Sequence, residues 1–143
     1  MPTLFLLCGL PGSGKTTLAR QLEREQCALR LTPDEWIVAL GIDTFDEPKR
    51  AAIETIQWNL AERALVLGMN VVIDFGVWSR QERDDFRSRA EALGARVELR
   101  FLDVPRDELW ARLVRRGGTL PSEPEFAHWC TELFEPPSPD EFL

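Results

Sequence analysis

The chain has 143 residues, with 24 acidic against 17 basic side chains, and a formal net charge of −7. That length suits one domain rather than two, and 44% hydrophobic with 29% charged residues is the balance of a globular chain, not a disordered one. Neutralising phosphates takes a basic surface, so the acidity argues against a non-specific nucleic-acid binder.

Leu4 to Cys8 is a short continuous apolar run that ends at a glycine, as in a strand buried on both faces. Thr16 to about Gln26 reads as a helix with Leu18, Ala19 and Leu22 on one stripe. Ala28 to Leu31 is a weak second strand. Thr32-Pro33 then signals a helix start, and a short helix from Asp34 to Leu40 closes at Gly41. Ile42 to Pro48 reads as a loop. Lys49 to Leu67 is the longest helical pattern, with Ile53, Ile56, Leu60, Ala64 and Leu67 recurring every three or four residues before Gly68.

Val71 to Phe75 is a third strand, apolar except for Asp74, and Arg80 to Leu93 is a charged helix closed by Gly94. In Arg96 to Leu102, Val97, Leu99 and Phe101 alternate with Glu98 and Arg100, which predicts an edge strand with one wetter face. Pro105 to Arg116 is a helix broken by Gly117-Gly118. Glu125 to Phe134 is a further helix, and the proline-rich segment from Glu135 reads as an extended tail. The order predicts an α/β fold with a mostly parallel sheet of about four strands in one domain, residues 1–143. Residues 117–134 would be a short lid with the last helix, and 135–143 the tail.

No apolar run approaches the roughly 18 residues of a membrane span, and the start of the chain lacks the positive lead of a secretory signal. Cys8, Cys27 and Cys130 have no C-x-x-C spacing, and His128 is the one histidine, read as structural. The expectation is a cytoplasmic protein without a membrane partner or a histidine-rich metal centre.

Gly9-Leu10-Pro11-Gly12-Ser13-Gly14-Lys15-Thr16 is G-x-x-x-x-G-K-[ST] without a mismatch, followed by Thr17, between a buried strand and a helix start. The glycines let backbone N–H groups converge on phosphate oxygens at a helix N-terminus. Lys15 would reach the outer phosphates and the Thr16 hydroxyl would bind Mg²⁺. The N-K-x-D guanine reader of GTPases is absent, and a large mechanochemical ATPase needs more chain. A compact kinase-like protein remains.

Asp34, near the first turn of its helix, is a candidate proton acceptor for a substrate hydroxyl, or a helix-terminal charge. Asp74, ending an apolar strand, is a candidate Mg²⁺ ligand, directly or through water, or a structural carboxylate with a buried partner. Trp36 and Trp78 are candidate walls of a substrate pocket, with core packing as the ordinary alternative. Arg80 and Arg83 lie on one helical face, as an anion clamp or as partners of Glu82, Asp84 or Asp85. Arg112, Arg115 and Arg116 precede the Gly117-Gly118 hinge, where they would stabilise charge on a transferring phosphoryl group or complement a helix dipole.

GLPGSGKTT, an acidic residue after the second strand, VVIDFG followed by S-R-x-E-R, and FLDVPRDELWARLVRR together resemble the AAA_33-type P-loop kinases over residues 3–116. These are small proteins similar to the kinase domain of polynucleotide kinase, chloramphenicol phosphotransferase and the zeta-toxin kinases. The resemblance implies a P-loop NTPase fold of three α/β/α layers and ATP–Mg²⁺ phosphotransfer to a hydroxyl, with Asp34 as proton acceptor. Lys15 and Thr16 would be nucleotide and metal ligands, and Arg112, Arg115 or Arg116 the lid arginines. The family sheet commonly has five strands, so a fifth is absent here or lies in the tail. Polynucleotide kinases carry an arginine three residues after the acceptor Asp, where this chain has Ile37.

The expected function is ATP-dependent phosphorylation of a hydroxyl on a small molecule such as a nucleoside, sugar or antibiotic. Kinase action on a polynucleotide or tRNA 5′-hydroxyl end, or a regulatory ATPase without an acceptor, are the alternatives. The charge is unevenly spread. Residues 117–143 hold six acids and no Lys or Arg, so residues 1–116, with 18 acids and 17 bases, are nearly neutral.

Overall fold

In the computed structural model, which describes residues 1–142, β1 (Thr3–Cys8) is the strand on which the other elements are arranged. Its Leu4, Leu6 and Cys8 face one side of the sheet and Phe5 and Leu7 the other, all buried. A strand covered on both faces has no polar alternation to display, which explains the continuous apolar run. The remaining strands are β2 (Ala28–Leu31), β3 (Asn70–Gly76) and β4 (Arg96–Phe101). They lie in the spatial order β2, β3, β1, β4, every pair parallel. Among the described residues there is no fifth strand.

On one face, α1 (Lys15–Gln26) packs Ala19 and Leu22 against Phe5, Leu7 and Val72. On the other, α3 (Glu47–Val66) and α4 (Arg80–Ala92) cover Leu4, Leu6, Val71 and Ile73 with Trp58, Ala61, Ala64, Leu65 and Ala90. These are the three layers of an α/β/α fold. β4 is an edge, as its alternation predicts. Val97, Leu99 and Phe101 join the α3–α4 side, while Glu98 and Arg100 pair with each other at 2.8 Å. The short α2 (Pro33–Ala39) follows β2, and α5 (Arg106–Arg116) follows β4. α6 (Glu123–His128) passes into a wider π-helical turn over Trp129–Leu133.

Two readings are corrected. The α3 stripe is turned from the expected one: Ile56 and Leu67 are exposed, and the buried positions are Ile53, Gln57, Trp58, Ala61, Ala64 and Leu65. The segment after Glu135 is not a free extended tail. Pro139–Phe142 forms a 3₁₀ turn that buries Glu141, and the Glu135 amide donates to the Trp78 carbonyl at 2.9 Å. Leu143, the end of the expected tail, lies outside the described residues.

Candidate active site

The loop between β1 and α1 is shaped by its glycines. At Gly12, φ is +87° and a Cβ would stand 3.0 Å from the Leu109 carbonyl oxygen of α5, so the chain tolerates no side chain there. Gly14 caps α1 in the left-handed region, and the Ser13 amide donates to the Leu10 carbonyl at 3.1 Å. Ser13 is buried with its Oγ unpartnered among the described residues. A buried hydroxyl lacking a partner in a glycine-shaped loop at a helix N-terminus suits an anionic oxygen. Gly9 to Thr16 thus fits a triphosphate; Thr17, one residue on, is exposed.

Lys15 folds back over this loop, its Nζ 3.4 Å from the Leu10 carbonyl oxygen. Burial lowers its pKa, opposed by the charges of Asp74 and Asp34 and assisted by that of Arg116. Asp74 sits where β3 slips by a residue against β1: Leu6 pairs with Ile73, but Cys8 pairs with Gly76. Such a bulge re-aims a side chain at a strand end. Asp74 Oδ2 accepts from Thr16 Oγ1 at 2.8 Å and from Thr32 Oγ1 at 3.2 Å, and Thr32 in turn accepts from Arg30 at 2.9 Å. Burial raises the Asp74 pKa, with Lys15 and the two threonine hydroxyls opposing. Thr16 and Asp74 together offer two hard oxygens, the donor type Mg²⁺ selects.

Asp34 stands in the first turn of α2, largely exposed, and is ion-paired with Arg50 of α3. The adjacent Glu35 pairs with Arg30 at 2.8 Å and Arg20 at 3.2 Å, which anchors α2 to β2 and α1. On α5, Arg112 reaches the Gly12 carbonyl at 3.3 Å and shares Glu108 with Arg115. Among the described residues Arg116 has no carboxylate partner at ion-pair distance.

A strand-to-helix phosphate loop with an acidic strand end beside it, in a parallel sheet, matches a known family. The model of an AAA domain, AAA_33, matches residues 4–134. The chain belongs to the AAA_33 family. A chain of the Pnkp1/Rnl/Hen1 RNA repair complex superposes with a TM-score of 0.77 at 25% identity, covering 92% of this chain and 44% of that one. A gluconokinase from Sinorhizobium meliloti 1021 gives 0.67 at 19% identity, covering 97% and 78%. The Mycobacterium tuberculosis APS kinase CysC gives 0.57 at 21% identity, covering 78% and 68%. The last two show the fold alone: this AAA_33 chain is built as P-loop kinases are. It spans less than half the length of the RNA repair chain that it matches. No curated protein matches it in sequence.

The remaining candidates of this AAA_33 chain are placed elsewhere. Trp36 is half-buried against the α3–α4 core. Trp78 packs with Leu10, Leu109 and Phe126, its Nε1 donating to the Gly9 carbonyl at 3.2 Å and its ring 5.7 Å from Trp129. The two tryptophans therefore do not wall one pocket. Gly76 is required here, since with φ at +92° its Cβ would stand 3.1 Å from Trp78 Nε1. Arg83 is no anion clamp: it is buried on Glu141 at 2.7 Å and on the Val77 and Trp78 carbonyls, and none of its expected partners is used. Arg80 does take the expected Asp84, and also Asp140 and Ser138.

The sequence reading assigns no part in the site to Arg30 and Thr32 behind Asp74 or to Arg50 on Asp34, and does not expect Gln57 of α3 to be buried. Arg50 and Gln57 carry a signal that a correct helical phase would have exposed, polar side chains on a buried stripe. No helix of the described residues is long and apolar enough to cross a membrane.

Proposed function

We propose that the chain is an ATP-dependent phosphotransferase that moves the γ-phosphoryl group of ATP to a hydroxyl of a small molecule, in the cytoplasm, as a single domain with 117–134 as its lid. The observation that carries this reading is a pair of carboxylates of different character, Asp74 bonded to Thr16 of the phosphate loop and to Thr32, and Asp34 exposed at the start of α2 and ion-paired with Arg50. A regulatory ATPase has use for the first carboxylate but none for the second.

The residues then divide the work. Backbone amides of Gly9 to Thr16 hold the phosphates, whose charge replaces the hydration that burial took from Lys15 and keeps it protonated. Mg²⁺, when bound, would be held by Thr16 and Asp74 and would neutralise charge on the phosphates. Asp34, fixed by Arg50, accepts the acceptor's hydroxyl proton as the new O–Pγ bond forms and the bond from Pγ to the ADP oxygen breaks. Arg112, already on the Gly12 carbonyl, with Arg115 and Arg116 beside it, supplies positive charge from the lid side.

A polynucleotide 5′-hydroxyl is the second reading, favoured by the likeness to the RNA repair chain. Against it, Ile37 is 1% exposed on the inner face of α2, so no cation from that position meets a phosphate. The test is ADP release from ATP with a panel of hydroxyl compounds, a DNA 5′-hydroxyl end among them, for the native chain and Asp34→Asn. Transfer should vanish in the variant while ATP still binds. Undiminished transfer in Asp34→Asn defeats this assignment of roles.

A further inference from the structure

Just past β3 the backbone is strained. Gly76 and Val77 are consecutive residues with positive φ, +92° and +39°. Glycine takes that conformation freely, but a β-branched residue in the left-handed region is an outlier, and Val77 is buried as well. Such strain persists only where the surroundings over-determine the backbone. Here they are led by the buried pair Arg83 and Glu141, 2.7 Å apart. One Arg83 nitrogen donates to the Val77 carbonyl at 2.8 Å and to the Trp78 carbonyl at 3.0 Å. Cys8 Sγ donates to the same Val77 oxygen at 3.5 Å, and the Glu135 amide to the Trp78 oxygen at 2.9 Å. Stability alone does not call for a buried ion pair, which apolar residues of the same volume often match. Two unfavourable features thus converge on two consecutive peptide groups.

What they fix is the direction of the Trp78 side chain. Its indole Nε1 donates to the Gly9 carbonyl at 3.2 Å, while the Gly9 amide donates to the Gly76 carbonyl at 3.1 Å. Gly9, the first residue of the phosphate loop, is therefore held through both of its peptide groups by residues 76–78. Gly76 leaves room for this, since a Cβ there would lie 3.1 Å from Nε1 and 3.3 Å from the Gly9 oxygen. The Gly9–Leu10 peptide is planar, so an orientation set at Gly9 is passed to Leu10. Leu10 is where the loop closes on itself. Its carbonyl accepts the Ser13 amide at 3.1 Å and Lys15 Nζ at 3.4 Å, and its side chain packs in the cluster that includes Trp78.

Resting on the reading of residues 9–16 as a phosphate loop, we propose that Trp78 is a positioning residue for that loop, and that the segment 135–141 sets nucleotide affinity through it. The relay runs from Glu141 to Arg83, from Arg83 to the Val77–Trp78 backbone, and from the indole to Gly9. The Glu135 amide joins it at the Trp78 carbonyl. Chain far from the phosphate loop in sequence thereby decides how firmly its amides and Lys15 are held for an anion.

The test measures Kd by calorimetry for Mg²⁺–ATP and for inorganic tripolyphosphate, on full chains shown to be folded at the working temperature. Trp78→Phe removes the N–H and keeps an aromatic ring in the cluster. Both Kd values should rise about five- to tenfold, by similar factors, while Tm stays within a few degrees of native. Arg83→Met with Glu141→Met should raise both to a similar extent. Adding Trp78→Phe to that pair should weaken binding by no more than about twofold further, because the three side chains act along one relay.

A Trp78→Phe chain with lowered Tm and native Kd values, the mark of an indole that only packs, overturns the proposal. So do factors that simply multiply in the combined variant. If the methionine pair does not fold, Glu135→Pro, which removes the amide on the Trp78 carbonyl, takes its place in the same comparison. If Trp78→Phe does not fold, native Kd values in the methionine pair overturn the proposal. In each of these cases native binding of tripolyphosphate leaves the phosphate loop standing. A native chain that binds neither ATP nor tripolyphosphate overturns both.

Discussion

Asp34 and Arg50 lie sixteen residues apart in sequence and on different helices, yet their side chains form one ion pair. Asp34 is exposed and Arg50 only half so, which places the guanidinium behind the carboxylate rather than in front of it. In the proposed role of proton acceptor, a carboxylate fixed from behind keeps its outer oxygen free for a substrate proton. Exposed ion pairs contribute roughly 0–1 kcal/mol, so the pair is poor evidence of a stability device.

That contrast makes Arg50→Met informative. Its Tm should stay close to that of the native chain, while kcat/KM for transfer falls roughly 10²-fold through loss of orientation at Asp34. Arg50→Lys should recover only part of the rate, since an ammonium cannot hold a carboxylate as a planar fork does. Denaturation curves and acceptor kinetics on the same preparations check both halves.

Thr32 does for Asp74 what Arg50 does for Asp34. Its hydroxyl donates to Oδ2 at 3.2 Å and is itself fixed by Arg30 at 2.9 Å. In Thr32→Val the carboxyl keeps Thr16 and loses one of the two hydroxyl donors that hold its pKa down. The Asp74 pKa should rise further, so the acidic limb of the pH–rate profile moves to higher pH, and more Mg²⁺ is needed for half-maximal rate on that limb. Losing the bond should cost about 1 kcal/mol of stability. A pH profile at two Mg²⁺ concentrations measures the first effect, and urea unfolding the second.

The sheet and the phosphate loop were legible because both are local. An apolar run ending in G-x-x-x-x-G-K-T needs no distant partner to be recognised, and Val97, Leu99 and Phe101 reported their own edge strand by alternation. The partners of the carboxylates were not legible. Arg50 acts across a gap of 16 residues closed by the packing of α2 on α3, and Thr32 across 42 residues closed by the pairing of β2 with β3. Misphasing α3 hid the rest: taking Ile56 and Leu67 as buried put Gln57 on the wrong side, although Ile56 is 55% and Leu67 78% exposed. Arg83 misled for a different reason. Adjacent acids on its own helix were nearer in sequence than Glu141, but they face solvent.

Glu54 should make stability depend on pH near neutrality. Its folded pKa, pushed by burial to about 7 from an ordinary value near 4.5, means that the native state holds a proton the unfolded chain releases. The associated stability is full below about 4.5 and is lost as pH rises through about 7. Glu54→Gln should therefore raise Tm more at pH 8 than at pH 5. Equal shifts at the two pH values count against a strained carboxyl at this position.

The pair Arg83–Glu141 governs a different window. Both side chains are 2% exposed, 2.7 Å apart, and Arg83 also donates to the Val77 and Trp78 carbonyls just beyond β3. Burial favours a protonated Glu141, but the hydrogen bonds from Arg83 and from the Ser138 amide prevail and hold its carboxyl below the usual range. A depressed folded pKa gives stability that is present above the unfolded value and lost as pH falls through the folded one. Unfolding should thus become easier on the acid side of about pH 4.5, near the ordinary value for Glu. Glu141→Ala leaves a guanidinium buried without its counter-charge, a change that typically costs about 3–5 kcal/mol. Removing both charges, as Arg83→Met with Glu141→Met, should return most of that loss, because the two desolvation penalties disappear together. Arg83 also braces the Val77–Trp78 backbone, and Trp78 holds the Gly9 carbonyl at 3.2 Å. The double variant should consequently unfold near the native temperature and still bind ATP more weakly. Native ATP affinity in that variant would separate the C-terminal turn from the phosphate loop altogether.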